Sequence, residues 1–118
     1  MRVISIIEDD ESLRHALVGL LRSMAMEAHG YGSAEDFLAL GASGSACVIT
    51  DVHLPGIDGI EMIRRLRARG DTVPAIVITA WEERKLAVEA KAAGALCLLR
   101  KPFETGDLLD CLDRALAA

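Results

Sequence analysis

A chain of 118 residues with 52% hydrophobic content is long enough to bury one core and short enough to need only one. Aromatic residues make up 3%, so that core must be built from Leu, Ile, Val and Ala, which suit strands and helices stacked in thin layers. The formal net charge of -5 argues against a nucleic-acid backbone or an anionic lipid surface as partner of this domain; DNA contacts would have to come from another module.

Val3 to Ile7 is a short apolar run that stops at Glu8, Asp9, Asp10 and Glu11, a buried strand ending at an acidic mouth. Leu13, Ala16, Leu17, Leu20, Leu21 and Met24 then recur at helical spacing and predict an amphipathic helix facing a sheet. An extended piece from Glu27 to Tyr31 leads to Ser33, a suitable cap for a helix carrying Ala34, Phe37, Leu38 and Leu40. A small polar loop from Gly41 to Ser45 precedes a second fully apolar strand, Ala46 to Thr50, which also ends on a carboxylate, Asp51.

Pro55-Gly56 and Asp58-Gly59 break the chain before a helix striped by Ile60, Ile63 and Leu66. Pro74 introduces a strand from Ala75 to Ile78 that ends at Thr79, followed by Ala80. A helix from about Glu83 to Ala93 stops at Gly94, and its stripe of Leu86, Ala87, Ala90 and Ala93 is thin. Glu82, Glu83, Arg84 and Lys85 read as its solvated start, and Arg64, Arg65, Arg67 and Arg69 as an exposed face of the preceding helix. Leu96 to Leu99 forms the last strand before Lys101-Pro102, and Leu108, Leu109, Leu112, Ala115 and Leu116 stripe the final helix.

The alternation is (βα)5 with no internal linker, so residues 1–118 are expected to be one α/β domain with a parallel sheet covered on both faces. Cys47, Cys97 and Cys111 lie far apart within or beside apolar segments, as buried free thiols of a reducing cytoplasm would. With neither a leader pattern nor a run of about 20 apolar residues, the domain is expected to be soluble and cytoplasmic, away from membranes.

Ligands of such sheets gather at the carboxyl ends of the strands. Those ends carry Glu8, Asp9, Asp10, Asp51, Thr79 and Lys101. Crowded carboxylates call for a proton, a cation or an ammonium, and a hard divalent ion such as magnesium meets that demand through oxygen ligands. A nucleophilic carboxylate, a metal, a lysine and a hydroxyl are the parts needed to form an aspartyl-phosphate on Asp51.

The stretches IIEDDESLR, TDVHLPGIDG, ITA and RKPF together make the chain resemble a response-regulator receiver domain of the CheY-like superfamily over essentially its full length. SAEDFL and KPFE look most similar to receivers of the FixJ type, whose usual output is a LuxR-like helix-turn-helix. The resemblance implies a flavodoxin-like three-layer sandwich with strand order 2-1-3-4-5. It further implies a phosphoacceptor role for Asp51, helped by Thr79 and Lys101. Magnesium, replaceable by manganese, would be held by Asp9, Asp51 and the backbone carbonyl of His53, with Glu8 acting through water; Asp10 reads instead as a helix-opening residue. The implied donor is a histidine kinase, and the implied downstream partners are an output domain, another protein or a phosphorylation-dependent second copy.

His53 and Trp81, taken alone, are a solvated loop histidine and an exposed indole packed on a neighbour, whereas the resemblance makes them, with Ala80, residues that tune phosphate loss. Leu98 departs from the family pattern, which commonly has Tyr or Phe three residues before the lysine. A flavodoxin would need a phosphate cradle where this chain has four acids. A haloacid-dehalogenase phosphatase would need an aspartate where His53 stands. The remaining rival is a receiver-shaped module that works by protein contacts without phosphorylation.

Overall fold

The computed structural model describes residues 2–40, 44–81 and 84–117. Five strands and five helices alternate: β1 (Val3–Ile7), α1 (Glu11–Ser23), β2 (Glu27–Tyr31), α2 (Ala34–Leu40), β3 (Ser45–Asp51), α3 (Gly59–Ala68), β4 (Ala75–Thr79), α4 (Arg84–Ala93), β5 (Cys97–Arg100) and α5 (Thr105–Ala117). The strands form one parallel sheet in the order β2-β1-β3-β4-β5, which is the expected flavodoxin-like arrangement.

Side chains alternate across each central strand and so feed two cores. Ile4 and Ile6 of β1, Ile49 of β3, and Ile76 and Ile78 of β4 pack with Leu17 and Leu21 of α1 and with Leu108 and Leu112 of α5. On the opposite face Ile7, Val48 and Val77 pack with Phe37 of α2, Ile63 and Leu66 of α3, and Leu86 of α4. Each such aliphatic side chain contributes roughly 1.5–3 kcal/mol on full burial, so these two layers dominate the stability.

Local chemistry sets the helix starts. Asp10 caps α1 by accepting from the Leu13 N–H at 3.1 Å, and Asp58 caps α3 by accepting from the Glu61 N–H at 2.8 Å. Ser33 accepts from the Asp36 N–H at 3.1 Å at the opening of α2, the capping role expected of it. Gly94 adopts φ 104° just past α4, where a side chain would be strained.

Some expected boundaries and faces shift. β3 starts at Ser45 and includes Asp51, and β5 runs Cys97–Arg100 rather than Leu96 to Leu99. Ala16 and Ala87 fit their stripes arithmetically but are exposed, and Met24 and Leu40 are 42% and 80% exposed because each sits where its helix runs out past the sheet edge or ends. Cys97 is only half-buried, since β5 is an edge strand. The expected loop residues Gly41 to Ser43, and Glu82 and Glu83 at the expected start of α4, lie outside the described residues. No described helix is long and apolar enough to cross a membrane.

Gly59 connects this frame to the strand ends. Its N–H donates to the Val52 carbonyl at 2.9 Å, and a Cβ at this position would collide with the Asp51 carbonyl oxygen and crowd Thr50 Oγ1. Gly59→Ala is therefore expected to lower stability by about 2 kcal/mol, as overpacking does, despite alanine's better helix propensity. A urea midpoint equal to or above that of the wild type would refute this steric reading.

Candidate functional site

The chain winds from β1 outward to β2, then returns over the sheet to β3 and onward to β5. The direction reverses between β1 and β3, where a crevice opens at the carboxyl ends. Register decides which side chains meet there. Ile7 pairs with Thr50, so Glu8 emerges beside Asp51, while Thr79 pairs with Arg100 and so brings Lys101 alongside the end of β4. The Lys101 N–H also donates to the Thr79 carbonyl at 2.8 Å.

Lys101 Nζ lies 2.8 Å from Glu8 Oε1 and 2.9 Å from Asp51 Oδ2. Glu8 and Asp51 are 1% and 7% exposed, so the ammonium neutralises charge that water hardly reaches. Their other oxygens are also engaged: Glu8 Oε2 accepts from the Asp10 N–H at 3.1 Å, and Asp51 Oδ1 accepts from the His53 N–H at 3.3 Å. Burial raises the Glu8 pKa, against the lowering effect of Lys101 and the Asp10 N–H. Burial alone would lower that of Lys101, but its hydrogen bonds to Glu8 and Asp51 outweigh it and the net shift is upward.

Asp9, exposed, completes an acidic trio: Glu8, Asp9 and Asp51 each offer an oxygen, and these oxygens all lie within 4.8 Å of one another. An all-oxygen set of this span can hold a hard cation. Asp10 points elsewhere, into its capping bond with α1.

Thr79 is buried at the end of β4, and its hydroxyl accepts from the Trp81 N–H at 3.1 Å. Ala80 between them is exposed. The Trp81 indole, 54% exposed, lies against the His53 ring with centroids 4.9 Å apart at 50°. His53 and Trp81 thus form one contact spanning the β3–α3 and β4–α4 turns. Leu98 is half-buried against the core and lines a groove of about 300 Å³ with Thr79, Trp81, Leu86 and Arg100.

The structure thus gathers Glu8, Asp9, Asp51 and Lys101, and places Thr79, His53 and Trp81 around them. Leu98 lies apart, in the groove under α4. Sequence reasoning missed the two-sided grip of Lys101 on Glu8 and Asp51, and the anchoring of the β3–α3 loop by Glu35, whose Oε2 accepts from the Ile57 N–H at 3.2 Å. The first is set by register, through the pairing of Ile7 with Thr50. No linear signal marks Glu35.

Residues 4–113 match the family described as the response regulator receiver domain. The chain is 37% identical to the transcriptional regulatory protein FixJ of Bradyrhizobium diazoefficiens, over 96% of this chain and 56% of that protein. It is 35% identical to the response regulator protein TodT of Pseudomonas putida, over 97% of this chain and 51% of that one. The chain spans about half the length of the curated relatives it matches. Among solved structures, FixJ-N superposes with a TM-score of 0.90 at 31% identity, covering 99% of this chain and 94% of that one. Response regulator StyR superposes at 0.91 and 35% identity, covering 98% of this chain and 59% of that one.

The paired charges give a pH signature. A carboxyl whose pKa is higher folded than unfolded binds protons more tightly in the native state, so Glu8 lowers stability as pH rises from its ordinary value of 4.5 through its raised one. Lys101, raised from 10.5, adds stability that persists below that value and is lost as pH climbs through its folded pKa. In chelator-treated buffer, Glu8→Gln should therefore gain stability relative to wild type as pH rises above about 4.5. Urea midpoints of the two proteins that run parallel from pH 4 to 8 would contradict this.

Proposed function

The chain belongs to the response regulator receiver domain family, and from that premise we propose that it is a phosphorylation switch whose acceptor is Asp51. The observation that carries the reading is the meeting of Glu8, Asp9, Asp51 and Lys101 at the carboxyl ends of β1, β3 and β5. A histidine kinase is the donor. As the Asp51 carboxylate oxygen approaches phosphorus in line, an O–P bond forms while the donor's N–P bond breaks and its imidazole leaves.

Negative charge on the transferred group's equatorial oxygens needs partners that do not themselves react. Lys101, already 2.9 Å from Asp51, supplies one. The Thr79 hydroxyl supplies another by exchanging its bond with the Trp81 N–H for one to the phosphoryl group. Magnesium, or manganese in its place, fits the all-oxygen trio: Asp9, Asp51 and the His53 carbonyl would hold it, with Glu8 acting through water. When bound, the ion offsets charge on acid and phosphoryl oxygens alike. His53, Ala80 and Trp81 flank the acceptor and set how readily water reaches the acyl phosphate. The domain is a self-modifying switch rather than an enzyme with turnover on a separate substrate.

Displacement of Thr79 and Lys101 alters the surface of α4, β5 and α5, which controls a cytoplasmic output: a LuxR-type DNA-binding domain, another protein or a second copy of the chain. The relatives named as transcriptional regulators are about twice as long as this chain, leaving room for such an output. A second reading, a module that works by contact without phosphorylation, is favoured only by Leu98 in the place of the usual aromatic.

Two measurements decide between them. Acetyl phosphate with magnesium should label the wild type saturably and leave Asp51→Asn unlabelled; no label in either supports the contact module. Trp81, the sole tryptophan, should change its fluorescence on addition of magnesium and beryllium fluoride. An unchanged spectrum, with binding verified independently, would exclude movement at the β4–α4 turn.

A further inference from the structure

A second chemical cluster lies on the far side of β5 from the acids. Cys97 opens β5 and is half-buried, while Cys111 and Arg114 stand one turn apart on α5 and face it. Arg114 Nη1 donates to Cys97 Sγ at 3.4 Å, and the Cys111 thiol is hydrogen-bonded to Cys97 as well. Both of these donors converge on the Cys97 sulfur. The same sulfur borders an open groove of about 410 Å³ between α4 and α5, lined also by Lys91, Leu98 and Arg114. A small oxidant can therefore reach Cys97 through a positively charged entrance.

The two other thiols are placed differently. Cys111 is 7% exposed, and burial together with its bond to Cys97 pushes its pKa up to about 12, so it keeps its proton and serves as donor. Cys47 is fully buried on β3, with its thiol likewise pushed up to about 12 by burial.

We propose that Cys97 and Cys111 form a redox-sensitive dithiol, with Cys97 as nucleophile, that a hydroperoxide converts to a disulfide tying β5 to α5. The Cys97 sulfur attacks one peroxide oxygen; an S–O bond forms, the O–O bond breaks, and the departing oxygen takes the Cys97 thiol proton to leave as an alcohol, or as water from hydrogen peroxide. Cys97 is then a sulfenic acid. The Cys111 sulfur attacks it; the S–S bond forms, the S–O bond breaks, and the hydroxide released takes the Cys111 proton to leave as water. Two thiols are oxidised and one peroxide is reduced. Intracellular disulfides of this kind are transient and sense redox state.

The bond would lock α5 onto β5 across the surface that the phosphorylation reading requires to move. Its chemistry, however, is independent of Asp51, and failure of acetyl phosphate labelling would leave it standing. The reduced full chain is titrated with hydrogen peroxide, quenched with iodoacetamide and mapped by peptide mass spectrometry. The expected product lacks two hydrogens and links the Cys97 and Cys111 peptides, while Cys47 stays reduced. In Cys111→Ser, dimedone should trap the Cys97 sulfenic acid. Arg114→Met, which removes the guanidinium contact to the attacking sulfur, should slow Cys97 oxidation about threefold. The proposal is overturned if wild-type Cys97 and Cys111 remain free at peroxide doses that oxidise glutathione, or if Cys97 passes to sulfinic acid without any link to Cys111.

Discussion

One ammonium holds the carboxyl end of the sheet together. Lys101 lies between Glu8, 93 residues away in sequence, and Asp51, 50 residues away. Two carboxylates taken out of water beside one another would repel strongly, and the penalty for an unpaired buried charge amounts to several kcal/mol. The lysine offsets part of that penalty for both at once, although burial still holds the Glu8 pKa above its ordinary value. It also tethers β5, whose residues are at most half-buried, to central strands that are buried almost throughout. The edge strand thus adds charge pairing at its end to the packing of Cys97, Leu98 and Leu99 against the two cores.

The same arrangement explains why the cluster suits reversible chemistry. Its backbone positions are fixed by β1 and β3, both paired to strands on either side, and by the close approach of Gly59 to the Asp51 carbonyl. Its charge balance is not fixed. A cation or a phosphoryl group brought to Asp51 competes for the oxygens that Lys101 now holds, so ligand binding must redistribute the lysine's contacts. On the proposed phosphorylation reading, a rigid frame carrying an exchangeable ion pair would convert a local change of charge into a shift at the end of β5.

Much of this was legible in the sequence, because burial on both sheet faces writes β1, β3 and β4 as largely apolar runs, and each run stops at the residue that emerges into the crevice. Ser33 and Asp10 were readable for an equally local reason, capping chemistry acting over three residues. What escaped was set by register and by neighbours distant in the chain. Nothing near Glu8 shows that it lies level with Asp51 and within reach of Lys101; only the pairing of Ile7 with Thr50 does so. Helical spacing likewise placed Ala16, Met24, Leu40 and Ala87 on buried stripes, since periodicity gives a direction around the helix but not where the sheet beneath it ends.

The half of the molecule that holds the acids and the half that would report on them differ in packing. Helix α3 buries Ile60, Met62, Ile63 and Leu66 against the sheet, whereas α4 buries one large side chain, Leu86, with Ala90 and Ala93. Little apolar area resists displacement of α4, so its position is the cheaper one to change. The Thr79 hydroxyl accepts from the Trp81 N–H, and Trp81 rests on His53 across the crevice. The two turns flanking Asp51 are therefore coupled through one ring contact. Because Leu98 leaves open the groove beneath α4, no aromatic ring has to be relocated when that contact changes. Geometry of this kind favours a read-out carried by movement of the β4–α4 turn and of α4 itself, rather than by the rotation of a single buried side chain.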